Sequence, residues 1–169
     1  MKQKRIRFGD IFEIPLSDGR KAYGQYLFRD ERMGPLIRVF DLFIGEEVRS
    51  DQLLDRLRNA RSLFPPVITG LPAAISTGFW KVIVHMPVGE FTYPGFISAM
   101  HEGYEQRGPW HLWNGEKYTQ LGRSLPEEYK QLEFLVVWDP HDIPHRIETG
   151  QNPYEKLIHG ASPQAHEME

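Results

Sequence analysis

Ile11-Phe-Glu-Ile-Pro-Leu16, Ser17-Asp-Gly19 and Arg20-Lys-Ala-Tyr-Gly-Gln-Tyr-Leu-Phe28 follow one another without a break. The first piece sets apolar residues around one charge. Pro15 suits a strand end or a sheet edge, where a missing N–H removes no ladder bond. Ser17-Asp-Gly19 reads as a turn, because glycine supplies the positive φ that hairpin turns need. In the third piece Ala22, Gly24, Tyr26 and Phe28 share one face at period two, and Tyr23, Gln25 and Leu27 share the other. Gly24 in mid-strand marks a bulge or a close backbone approach. Asp30-Glu-Arg-Met-Gly34 is a second polar turn, and Leu36-Ile-Arg-Val-Phe-Asp-Leu-Phe43 a third strand. Three antiparallel strands joined by short turns make a meander, the start of a small barrel-like or strongly curled sheet.

Downstream the period changes. Ser50 can cap a helix over residues 50–61 whose apolar residues are Leu53, Leu54 and Leu57. Asp51 stands near its start and Arg56, Arg58 and Arg61 near its end, matching the helix dipole. Pro65-Pro66 stops continuation. Phe79-Trp-Lys-Val-Ile-Val-His85 reads as a buried strand, and a short strand or turn is expected within residues 93–100. Asn114-Gly115 lies between the aromatic flanks Trp110-His-Leu-Trp113 and Tyr118-Thr-Gln-Leu121, a strong signal for a two-residue hairpin. Residues 127–130 fit one helical turn and residues 152–159 a short helix. Leu132-Glu-Phe-Leu-Val-Val-Trp138 reads as one late strand, central in its sheet because its apolar run is nearly continuous. The expected fold is mainly β, of α+β type: an antiparallel, small barrel-like or strongly curled sheet with one or two short helices. A single domain is expected over residues 1–169, with a core at about 8–160 and a polar C-terminal tail.

Composition narrows the function classes. A chain of 169 residues, 40% hydrophobic and 12% aromatic, can bury a core without a staple. There is no cysteine, which removes disulfides, thiolate metal sites and cysteine nucleophiles together. The basic start leads into no apolar signal region, and no run approaches the roughly 18 apolar residues of a membrane span, so a cytoplasmic placement is expected. Net charge is −3 and uneven. Residues 1–62 hold 13 Lys+Arg and 10 Asp+Glu, and residues 63–169 hold 7 and 13, giving +3 and −6. An acidic C-terminal half disfavours a nucleic-acid binder that uses its whole surface. A basic patch remains at Lys2, Lys4, Arg5 and Arg7.

The opening Gly9-Asp-Ile-Phe-Glu-Ile-Pro-Leu-Ser-Asp-Gly-Arg-Lys-Ala-Tyr-Gly-Gln-Tyr26 resembles the immunity protein 26 family of bacterial polymorphic-toxin systems. Trp113-Asn-Gly-Glu-Lys-Tyr118 and Glu133-Phe-Leu-Val-Val-Trp138, with Pro140 and Arg146, extend that resemblance over roughly residues 8–148. It implies a mainly β fold and a role in neutralising a co-encoded protein toxin by occlusion, without catalysis or cofactor. It supplies no catalytic motif.

The residues themselves leave several sites to weigh. Trp110, Trp113 and Tyr118 are either core residues or interface anchors, since Trp and Tyr dominate binding hot spots. Glu116, Glu127, Glu128, Asp139 and Asp142 would give an acidic surface for a basic partner such as a nuclease toxin. His141 and His145 have the spacing of helical metal ligands, but Pro140 and Pro144 argue against a helix there, so no metal is expected. Two alternatives remain open. One is a nucleic-acid module using residues 2–7 with Tyr23, Tyr26 and Arg38; the other is a hydrolase using Asp10, His85, His101 and Asp139.

Overall fold

The meander forms as the alternation requires. In a computed structural model describing residues 5–101 and 107–159, β1 (Asp10–Pro15), β2 (Lys21–Asp30) and β3 (Gly34–Val39) are consecutive antiparallel neighbours. Lys2, Lys4 and the tail from residue 160 lie outside the described residues. Gly19 takes φ +89° in the first turn, and Asp18 accepts the backbone N–H and the guanidinium of Arg20. Those two bonds lower the Asp18 pKa, the backbone one most. Phe12 pairs with Gly24, and a register shift falls between Tyr26 and Phe28. The third strand stops at Val39, short of the expected Phe43. Phe40 instead bridges Ser62, and the Asp41 N–H donates to the Arg61 carbonyl.

The described chain divides into two compact units, one from residues 1–92 with 136–150 and one from residues 93–135 with 151–169. In the first unit, β4 (Val67–Thr69) pairs with β3, and β5 (Lys81–His85) pairs with β1. α1 (Ser50–Asn59) brings Leu53 and Leu57 onto Ile11, Tyr23, Phe40 and Ile44 on one sheet face. Ser50 is its first residue and not its cap; Arg49 holds the cap position without a side-chain bond. On the opposite face Phe12 stacks on the buried Trp80, with centroids 5.2 Å apart. α2 (Leu71–Ser76) lies between β4 and β5 in the chain. Six residues are too few to show a helical period, and Pro72 sits in its first turn, where it removes no helical bond.

The second unit holds β6 (Phe96–His101), β7 (Arg107–Trp113), β8 (Tyr118–Gly122) and β9 (Glu133–Phe134), in the order β8-β7-β6-β9. Ile97, Trp110 and Ile158 form its core with Leu121, Tyr129 and Phe134. The hairpin is present, but its turn is shifted by one residue. The Asn114 N–H donates to the Lys117 carbonyl, which places Gly115 and Glu116 at the centre. Only Gly115 needs a positive φ, +95°, while the Asn114 side-chain oxygen accepts the N–H groups of Glu116 and Lys117.

Three expectations are corrected. The run at 132–138 is two short strands: β9 pairs parallel with β6, and β10 (Val137–Trp138) pairs parallel with β4 in the other sheet. Of its apolar residues only Trp138 is buried, Val137 is 47% exposed, and the run is divided between two sheets, so it is no central strand covered on both faces. Neither sheet closes into a barrel, and each contains a parallel pair. The described residues hold four helices, not one or two: α1, α2, α3 (Asp142–Thr149) and α4 (Glu155–His159), besides a 3-10 turn at Glu127–Tyr129. α3 forms despite Pro144, because that proline lies in the first turn, where backbone N–H groups have no partner in the helix. None of these helices is long and apolar enough to cross a membrane.

Candidate functional site

Residues 5–8 enter the first unit beside β1 and are tied there by backbone bonds. The Gly9 N–H donates to the Tyr26 carbonyl at 2.7 Å, and the Met86 N–H donates to the Gly9 carbonyl at 3.0 Å. Gly9 takes φ +96°, and a Cβ there would lie 2.6 Å from the Met86 oxygen and 2.7 Å from the His85 ring. The next residue, Asp10, is buried and accepts the Arg7 N–H at 3.1 Å. Its other carboxylate oxygen meets His85 Nδ1 at 2.9 Å and the Arg7 guanidinium at 3.6 Å. Asp10 and His85 thereby join β1 to β5.

This entry segment forms one wall of a groove made of two adjoining cavities, about 730 and 480 Å³. Arg5, Ile6, Arg7 and Ile75 line both. The larger adds Phe8, Tyr26 and Arg29, and the smaller adds Trp80, Lys81 and the Asp10–His85 pair. Burial pushes the Tyr26 phenol above its ordinary pKa, against the opposing pull of Arg29 and Arg5 beside it. Neither Arg5 nor Arg29 forms an ion pair among the described residues. The Trp80 indole N–H is buried and meets no acceptor among them. Phe8 and Phe28, 50% and 39% exposed, continue the groove as an aromatic ledge. Phe8 sets its edge on Tyr26 and stacks on Phe28, which stacks in turn on Phe91.

The residues singled out by sequence fall elsewhere. Trp110 and Trp113 are buried in the second unit, while Tyr118 is exposed with its ring against Trp113. The two tryptophans can serve a partner only through the hairpin they support. Glu116, Glu127 and Glu128 are exposed on the second unit, and Asp139 and Asp142 on the first. Asp139 accepts both the N–H and the ring Nδ1 of His141 at 2.9 Å, and those bonds lower its pKa. His145 follows on α3, so the helical spacing discounted on account of the prolines exists. Among the described residues, no group of three or more His, Asp or Glu side chains is placed to hold a metal ion.

Of the hydrolase set, only Asp10 and His85 meet; the His101 side chain lies outside the described residues. The face proposed for nucleic acid is not one surface. Tyr23 packs in the α1 core, Arg38 covers the Phe40 ring at 4.3 Å, and only Tyr26 reaches the groove. Burial lowers the Arg38 pKa, and its Nε is buried without a partner among the described residues.

The Asp10–His85 pair, the whole meander and the groove apart from Arg5 and Ile6 lie within one matched stretch. The model of the immunity protein 26 family matches residues 7–108, more than half of the chain. The chain belongs to the immunity protein 26 family. The match covers β1 to β6. It ends before the Asn114-Gly115 hairpin and the 133–138 segment, which the sequence resemblance had included. No curated protein and no solved structure matches the chain.

Arg29, Phe8 and Phe28 were not picked out as site residues. The available signal was three arginines and two phenylalanines at the edges of the first strands. Their convergence depends on β2 running back beside the entry segment.

Proposed function

We propose that this chain is an immunity protein that binds a toxin encoded beside it and neutralises it by occlusion, in the cytoplasm and without catalysis. The observation that carries this reading is the family match over residues 7–108. Occlusion needs shape and charge complementarity and no reacting groups. The Asp10–His85 contact fits that reading, because its geometry ties two strands. The exposed carboxylates Glu116, Glu127, Glu128, Asp139 and Asp142 suit a partner with a basic face, such as a nuclease domain. The aromatic hairpin built on Trp110 and Trp113 is a second candidate contact.

The test is co-expression and co-purification with the toxin domain encoded beside this chain. A stable complex and protected cells are expected; unprotected cells and no complex would end the reading. Reversing Glu127 and Glu128 to Lys should slow association at low salt and flatten its salt dependence. An unchanged association rate would remove those two residues from the interface.

A further inference from the structure

The groove beside β1 gathers Arg5, Arg7 and Arg29 at one concave surface. Arg7 is engaged by Asp10, while Arg5 and Arg29 are exposed and form no ion pair among the described residues. Guanidinium groups present a planar fork of donors that matches a carboxylate. Trp80 lines the continuation of the groove and brings a buried N–H without an acceptor among the described residues. The facing wall, Pro72, Ala73 and Ile75 of α2, is largely apolar, and Phe8 and Phe28 expose their rings at the edge. Arginine beside aromatic rings in a concave site is the composition of a binding hot spot.

We propose that this groove binds an acidic segment of the protein partner. Carboxylates of that segment meet Arg5 and Arg29, and an apolar side chain packs on Phe8 and Phe28. The source of the segment rests on the immunity reading above. A nucleic-acid strand fits the groove less well. The chain carries −3 overall and −6 over residues 63–169, so a long polyanion is repelled outside the arginine cluster. The groove also asks for the opposite charge to the one that the exposed carboxylates ask for. A partner using both would present a basic face and an acidic loop.

The experiment uses the full chain and three labelled probes: a short peptide alternating Glu and Leu, its Lys and Leu counterpart, and oligodeoxythymidylate. The acidic peptide should move the amide resonances of Phe8, Tyr26 and Arg29, and the basic peptide should not. The double variant Arg5→Glu with Arg29→Glu should weaken acidic-peptide binding at least about tenfold. Arg49→Glu, an exposed change on the residue before α1, should leave it unchanged. Arg5→Gln with Arg29→Gln should move in the same direction and serves if the reversed pair alters the melting curve. Unmoved groove resonances, unchanged affinity in the double variants, or tighter binding of the oligonucleotide than of the acidic peptide would each overturn the proposal.

The same variants are then measured against the toxin domain encoded beside this chain. Loss of at least about tenfold affinity in the double reversal, with Arg49→Glu unaffected, supports the proposal. If the toxin binds and the reversal has no effect, the groove proposal fails while the immunity reading stands. If the toxin does not bind but the acidic peptide does, the immunity reading fails and the groove assignment is upheld.

Discussion

Replacing Gly24 with Ala probes the contact on which the central sheet is built. Gly24 does not have a positive φ, so the backbone tolerates alanine there. From the chain alone, the change should stabilise by about 0.4–1 kcal/mol, because the unfolded state loses freedom. The packing decides otherwise. A Cβ at Gly24 would lie 2.4 and 2.5 Å from two atoms of the Phe12 ring and 3.2 Å from the Arg38 carbonyl oxygen. Carbon contacts are most favourable at about 3.5–4.0 Å, so the ring must retreat by roughly an ångström. It cannot do so freely: Phe12 is fully buried and stacked on Trp80, which is also buried. Overpacking of this kind costs about 1–3 kcal/mol, which outweighs the chain-entropy gain and leaves a net loss of about 1–2 kcal/mol.

Urea denaturation followed by tryptophan fluorescence measures that loss. A second background isolates its cause. In Phe12→Leu the ring is gone, and Gly24→Ala should become neutral or stabilising, a coupling of about 1 kcal/mol or more between the two sites. An equal destabilisation in both backgrounds would refute the steric argument. A stabilising Gly24→Ala in the wild-type chain would refute the placement of the ring over the glycine.

Gly115→Val should destabilise the second unit by about 1–3 kcal/mol, because valine resists φ +95°. A Cβ there would also sit 3.0 Å from the Tyr93 ring, and an unchanged denaturation midpoint would contradict the turn described above. Thr69→Val should cost about 1–2 kcal/mol, because the buried Thr69 hydroxyl donates to the Trp138 carbonyl at 2.7 Å and the change removes that bond. Thr69→Ser should retain most of the bond, so equal losses in the two variants would assign the effect to packing. Tyr23 and Tyr26 have pKa values raised above the ordinary 10.0, burial being the main cause in both. The stability they contribute is complete below the unfolded-state value and is lost as pH rises through the folded-state values. Alkaline unfolding should therefore coincide with a late tyrosinate absorbance step, and titration of all tyrosines at the ordinary value in the folded protein would count against it.

Strand alternation, turn residues and the α1 leucines were legible in the chain because they are local properties with a fixed period. Phe12 opposite Gly24 was foreshadowed by a glycine in mid-strand, and the leucine face at Leu53 and Leu57 by helical spacing. Proline was the misleading letter. It excludes a helix interior but not a first turn, so Pro144 hid α3, whose start depends on where the chain arrives, while α2 was too short to show a period. The apolar run at 132–138 signalled extended chain but neither its partners nor its burial: only Trp138 among its apolar residues is buried, and hydrophobicity does not record which sheet receives a strand. The groove shows the same limit. Arg5 and Arg29 stand 24 positions apart in the chain, and Trp80 and His85 more than 50 beyond them. Only antiparallel return of β2 beside the entry segment, with β5 added at the edge of β1, brings those groups to one surface. Periodicity set which faces of each element are apolar. Long-range pairing, which no local pattern encodes, decided which charges and rings meet.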